Sequence, residues 1–257
     1  MMTVFKAVLA IGVGIAMVCG PAQAQSVGPR LALVIGNDDY RELPKLAGAV
    51  HDANAVAEAL KARGFKVTQA SNLGREAMMA LLSDFERSLA SGGGVGVFFY
   101  SGQAVHVTGE DVMLPVDARI ASGPQMLAQG IQLAQVQKEI KPWRDNGTVT
   151  LYAASKGQSA FDSLPGQKNS PFTIAFLRGL MQRGDDLQEL FQGVREGVEP
   201  AFRDPALSNF KQTPDISGQL RGKFFFNHPD RDPAGSVTRI VILDASRDNP
   251  FAASPSR

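Results

Sequence analysis

The sequence predicts an α/β fold, a mostly parallel central sheet with helices on both faces. Two observations carry that expectation. Short apolar runs that stop at turn residues, the pattern of strands buried on both faces, alternate with longer stretches whose apolar residues recur at helical spacing. About 230 residues remain once an N-terminal leader is set aside, enough to bury one core.

The elements follow in order. Leu31-Ala32-Leu33-Val34-Ile35 ends at Gly36-Asn37 and reads as the first strand. Ala47 to Arg63 keeps Val50, Ala53, Val56, Ala57 and Leu60 on one helical face and stops at Gly64, a natural C-cap. Phe65 to Ala70 is a second strand. Arg75 to Ala90 is a helix with Met78, Leu81, Leu82, Phe85 and Leu89 on one side, and Val95 to Tyr100 is a third buried strand. Gln125 to Ile140 reads as helical and Thr148 to Ala153 as a strand. Ser170-Pro171-Phe172 opens a helix with an N-cap serine and a first-turn proline. Asp186 to Val198 is amphipathic, Lys223 to Phe226 reads as a short aromatic strand, and Val237 to Ala245 as a final apolar one.

The N-terminus reads as a secretory leader. Lys6 precedes the 12-residue apolar run Ala7 to Val18, and the small-residue triplet Ala22-Gln23-Ala24 supplies a cleavage site after residue 24. A membrane anchor needs about 20 apolar residues, so 12 favour cleavage. Lipidation of Cys19 is disfavoured by Val18, where a small residue is needed. The expected location is periplasmic or secreted, with no membrane association after cleavage. Cys19 is the only cysteine, so the remaining chain, read as one domain over residues 30–257, has no thiol and no disulfide. Loss of Lys6 brings the 26 Lys plus Arg level with the 25 Asp plus Glu. Without a basic excess or a basic patch, nucleic acid is excluded as a partner.

Parallel sheets place their sites at the carboxyl ends of strands. Two such ends stand out: Phe98-Phe99-Tyr100-Ser101-Gly102-Gln103-Ala104 and Ile242-Leu243-Asp244-Ala245-Ser246-Arg247-Asp248-Asn249-Pro250-Phe251. Together with Leu33-Val34-Ile35-Gly36-Asn37, Ala49-Val50-His51-Asp52-Ala53, Leu114-Pro115-Val116-Asp117, Asn169-Ser170-Pro171-Phe172 and Gln212-Thr213-Pro214, they resemble the caspase-like peptidases of the C14 group, in particular bacterial metacaspases. The resemblance runs from about residue 30 to the C-terminus and implies a three-layer sandwich around a sheet of about six strands. It also implies a catalytic histidine at position 103 and a nucleophilic cysteine at position 246. Gln103 and Ser246 stand there instead.

An amide cannot accept a proton near neutral pH, and a serine hydroxyl is a poor nucleophile without a base. The expectation is therefore a catalytically inactive protein. The competing reading is a residual hydrolase using Ser246 with His106 as its base, but three residues along an extended segment turn His106 to the face opposite Gln103. The resemblance further implies that Asp52 and Asp244, beside Ser101 and Gly102, form a pocket for an Arg or Lys side chain of a peptide or protein ligand. Against this stands a purely structural role, with both carboxylates satisfied by loop donors. No cofactor is implied. The acidic pair that binds calcium in some family members is missing between Ala118 and Gly130, so no metal site is expected.

The family order places the nucleophile strand before the strand read at Thr148 to Ala153, whereas here it comes last. The chain reads as circularly permuted. Asn227 to Ser236 forms the connection; ten residues reach at most about 33 Å, more than enough to cross two or three strands. The final strand is expected to insert beside Val95 to Tyr100 in its own chain, giving a monomer in preference to a swapped dimer.

Overall fold

Two strands buried along their whole length fix the centre of the sheet. A computed structural model of the chain describes residues 28–119, 122–138, 145–182, 184–203, 205–207, 209–232 and 236–247. The leader with Cys19, the end of the helix read to Ile140, and Asn249-Pro250-Phe251 lie outside the described residues.

The chain starts with β1 (Arg30–Gly36), α1 (Ala49–Lys61), β2 (Lys66–Ser71), α2 (Arg75–Gly92) and β3 (Gly94–Ser101). A hairpin follows, β4 (Ala104–Val107) and β5 (Glu110–Met113), then α3 (Gly123–Gln129), β6 (Ile131–Gln132) and α4 (Leu133–Lys138). The remainder is β7 (Asp145–Tyr152), α5 (Pro171–Met181), α6 (Leu187–Val198), β8 (Asp215–Leu220) and β9 (Val237–Asp244). The main sheet has six strands in the order β2-β1-β3-β9-β7-β8, and β4-β5-β6 form a second, small sheet. All pairs in the main sheet are parallel except β7 with β8. Every residue of β3 and β9 is buried, as continuous apolar runs require when helices cover both faces.

Side-chain alternation sorts the two layers of core. Val95, Val97 and Phe99 of β3 and Ile240 and Ile242 of β9 face α1, α5 and α6. Phe98, Tyr100, Val241 and Leu243 face Met78 and Leu82 of α2. The helix starts are locally specified. The Ser170 hydroxyl accepts from the Thr173 amide under Pro171, and Asp186 with Glu189 makes a reciprocal capping box on α6.

Two sequence expectations are corrected. The helix read from Gln125 to Ile140 is broken at Gly130, where the backbone turns extended and a Cβ would lie 2.1 Å from Val112 Cγ1. β6 then pairs Ile131 with Met113 and Gln132 with Val112. The buried residues of this stretch belong to separate elements and separate clusters: Met126 of α3 packs with Val105, Val107 and Val112, whereas Ile131 of β6 and Leu133 of α4 pack with Met113 and Leu243. Lys223 to Phe226 is not a strand; Phe224 and Phe226 are buried against the α1/α5/α6 core from a loop. The antiparallel edge strand is β8, whose sequence DISGQL has no buried residue and so no apolar signal.

Because β8 runs antiparallel, it delivers the chain to the side of the sheet where parallel strands begin. The crossover from Asn227 to Ser236 is anchored there. Arg30, at the start of β1, makes four hydrogen bonds to it and the residues just before it, and a fifth just past the end of α1. Nε and Nη2 reach the Asp232 carboxylate at 2.6 and 2.8 Å, Nη1 reaches the carbonyls of Phe226 (2.6 Å) and Arg63 (3.2 Å), and Nη2 also reaches that of Phe225 (2.8 Å). The rings of Phe65 and Phe224 flank the guanidinium at 5.0 and 5.6 Å. Asn227 donates to the carbonyls of Leu180 and Gln182, and Gly94 donates to Ser236 at 2.9 Å. β9 thus enters the sheet from a fixed point.

Removing one member of a buried pair leaves the other charge uncompensated, at about 3–5 kcal/mol. Asp232→Ala is expected to lose that much in denaturant unfolding. A single-mutant loss below about 1 kcal/mol, the level of an exposed pair, would contradict the anchor.

Candidate functional site

The ends of β3 and β9 lie side by side. Ser101 pairs in register with Asp244, and the Gly102 amide donates to the Asp244 carbonyl at 3.4 Å. A pocket of about 240 Å³ opens above them, with Gln103, Ala245 and Ser246 from these ends, Asp52 from α1, Ser170 from the start of α5, and the segments Pro44–Leu46 and Ala160–Asp162 as walls. All six residues singled out from the sequence, Asp52, Ser101, Gly102, Gln103, Asp244 and Ser246, line it. Gly102 is required by close approach: a Cβ there would come within 2.8 Å of the Tyr100 and Tyr40 hydroxyls.

The floor carries the charge. Asp52 is buried and accepts from Asn169 Nδ2 at 2.8 Å, the Ser170 amide at 3.0 Å and Ser101 Oγ at 3.3 Å. Asp244 is buried and accepts from Ser170 Oγ at 2.6 Å and Thr173 Oγ1 at 2.7 Å. Ser170 therefore bridges the two acids, amide to one and hydroxyl to the other. Burial pushes the Asp52 carboxyl well up, and the neighbouring Asp244 charge pushes it further against the pull of its hydrogen bonds. Burial also raises Asp244, with the Ser170 and Thr173 hydroxyls drawing it back. Both shifts favour the protonated carboxyls, whereas a cation in the pocket would favour the ionised forms.

Gln103 and Ser246 each have hydrogen-bond partners of their own. Gln103 Nε2 donates to the Pro44 carbonyl at 2.5 Å. Its backbone is fixed by the buried tyrosine pair: the amide donates to Tyr40 Oη at 2.7 Å and the carbonyl accepts from Tyr100 Oη at 2.9 Å. Ser246 Oγ accepts from the Ala160 amide at 3.0 Å and donates to the Ala160 carbonyl at 3.4 Å. None of the chain's three histidines lines the pocket. His51 is exposed on α1, His106 bonds Asp111 across the β4–β5 hairpin at 2.7 Å, and His228 lies 3.9 Å from Asp230.

Comparison with known families fits this geometry. The family model described as the caspase domain, peptidase C14, matches residues 29–142 and 134–225. The chain belongs to the caspase domain family. It is also 34% identical over 89 residues to the human mucosa-associated lymphoid tissue lymphoma translocation protein 1, a match covering 35% of this chain and 11% of that protein. The shared stretch is thus about a tenth of the relative's length.

Two residues of this caspase domain that matter to the pocket have no role assigned from the sequence, Asp162 and the motif residue Arg247. Asp162 adds a third carboxylate to the wall and accepts from the amides of Ala47, at 2.5 Å, and Gly48, at 2.9 and 3.0 Å, just ahead of α1. Its partners are more than 110 positions away, so only a bare Asp in a loop was visible. Arg247 is buried against the Tyr152 ring at 3.7 Å, with Nε and Nη2 each 3.1 Å from the Asp111 carboxylate and Nη1 3.4 Å from Asp215. It pins the chain directly after Ser246.

A carboxyl whose pKa is raised by folding stabilises the folded state fully below its unfolded value, near 4, and loses that contribution as pH rises through the folded value. Both floor acids are raised, so stability should decline from mildly acidic toward alkaline pH. An asparagine amide in place of the Asp52 carboxyl would mimic its protonated form. Thermal melts of Asp52→Asn are expected to match wild type at or below about pH 4, near the unfolded value, and to exceed it increasingly as pH rises; parallel pH profiles would contradict the raised pair.

Proposed function

We propose that this chain is an exported, catalytically silent caspase domain, circularly permuted, that holds an Arg or Lys side chain of a peptide or protein partner. The observation that carries the reading is the pocket's charge. Asp52, Asp162 and Asp244 converge on it, and no Lys, Arg or His is among the described residues lining it. A guanidinium offers the forked donors that paired carboxylates accept. Silence is supported by Gln103 and Ser246, whose polar groups are bonded to Pro44 and Ala160 instead of to each other or to an imidazole. Permutation is supported by the two family segments, which overlap and end at residue 225, while β9 beyond them fills the gap between β3 and β7.

A second reading, a purely structural module, is favoured by the donors that already surround both floor acids. Titrating purified protein with Arg- and Lys-containing peptides, against the same peptides carrying Gln, separates the two. Binding of the basic peptides alone is expected, weakened about 30-fold or more by Asp52→Ala or Asp244→Ala in variants that still melt cooperatively. Equal or absent binding of both peptide sets favours the structural module. No cleavage of a basic fluorogenic peptide is expected from wild type, and the Gln103→His, Ser246→Cys protein is expected to gain it. Labelling of wild-type Ser246 by a phosphonate probe would instead revive a serine hydrolase.

A further inference from the structure

We propose that Gln103 and Ser246, the residues in the two degenerate positions, are positioning residues that fasten opposite walls of the acidic pocket and complete a ring of hydrogen bonds around it. The proposal rests on the reading of the pocket as a site for a basic side chain. It replaces the view of these two residues as mere losses.

The ring can be followed residue by residue. Gln103 Nε2 holds the Pro44 carbonyl. Three and four residues on, the amides of Ala47 and Gly48 are held by the Asp162 carboxylate. Two residues back from Asp162, the amide and carbonyl of Ala160 are held by Ser246 Oγ. Ser246 and Gln103 stand just past the ends of the adjacent strands β9 and β3, which the Gly102 amide joins by its bond to Asp244. The circuit closes.

Its two walls, residues 44–48 and 160–162, belong to no helix or strand. A loop segment keeps one shape only if contacts offset the entropy of fixing it, about 1–2 kcal/mol per residue. The fasteners suit that task because their own bases do not move. The buried tyrosine pair clamps the backbone of Gln103, and buried Arg247 pins the residue after Ser246. Asp162 carries a second role, adding charge to the wall it secures. A preformed wall spares the ligand the cost of ordering it, which is a gain in affinity without any new contact.

Gln103→Glu separates this role from simple electrostatics, because the two predict opposite signs. The substitution is nearly isosteric and adds a fourth carboxylate to the pocket, so charge alone would tighten binding of a basic peptide. The ring predicts the reverse, since a carboxylate cannot donate to the Pro44 carbonyl and repels it. Binding of an Arg-containing peptide is expected to weaken about three- to ten-fold, the net worth of one hydrogen bond. Amide hydrogen exchange of the free protein gives a readout independent of the ligand. Ser246→Ala should speed exchange at the Ala160 amide and Gln103→Glu at residues 45–48, with exchange in α5 and α6 unchanged.

Tighter binding by Gln103→Glu together with unchanged wall exchange would overturn the proposal. Faster wall exchange in a protein whose wild type binds no basic peptide would support the ring while sinking the ligand reading beneath it. Wild-type binding with unchanged wall exchange in both variants would sink the ring alone.

Discussion

The site exists only because β9, the last of the described strands, lies in the middle of the sheet. All eight of its residues are buried, and it forms parallel ladders with β3 on one side and β7 on the other. Five of them, Val237, Ile240, Val241, Ile242 and Leu243, are large and apolar, each worth about 1.5–3 kcal/mol when buried. Their sum is on the order of 10 kcal/mol, comparable with the whole stability of a typical domain. An inserted β9 is thus a condition of folding here, and Asp244 and Ser246 reach the pocket as its consequence. The Arg30–Asp232 anchor at the opposite end sets where the strand enters.

Burial in the sheet also explains the electrostatics. Asp244 is the final residue of a fully buried strand, and Asp52 faces it from the first turn of α1. Two acids in so dry a place are costly unless neutralised by a proton or by a cation. The donors around them, Ser101, Asn169, Ser170 and Thr173, orient the oxygens without supplying positive charge. Ser170 does this while capping α5, so the helix start and the pocket floor are one construction.

Much of this was legible in the sequence, for physical reasons that also set the limits. β1, β3 and β9 announce themselves because strands buried on both faces must be continuously apolar. The start of α5 was readable because Ser-Pro is a local signal that needs no tertiary partner. β8 was missed because an edge strand buries little, and Gly218, at φ +80°, interrupts it. The aromatics of Lys223 to Phe226 were misread because burial, not strand pairing, placed them. At the site, Asp52, Gln103, Asp244 and Ser246 were found through family resemblance, whereas Asp162 and Arg247 act through partners distant in sequence. The bonds that now occupy Gln103 and Ser246 have no sequence signature at all.

Site-resolved titration of the Asp244 and Asp52 carboxyl carbons by NMR, without ligand and then with a saturating Arg-containing peptide, tests the account most directly. Asp244 meets Asp52 only if β9 is inserted, so their titration reports both the strand's place and the pocket's charge. Both carboxyls are expected to titrate above the ordinary aspartate range, near 4, in the free protein. Asp244→Asn should lower the Asp52 value, and the peptide should lower both. Two independent titrations in the ordinary range, unmoved by peptide, would contradict it.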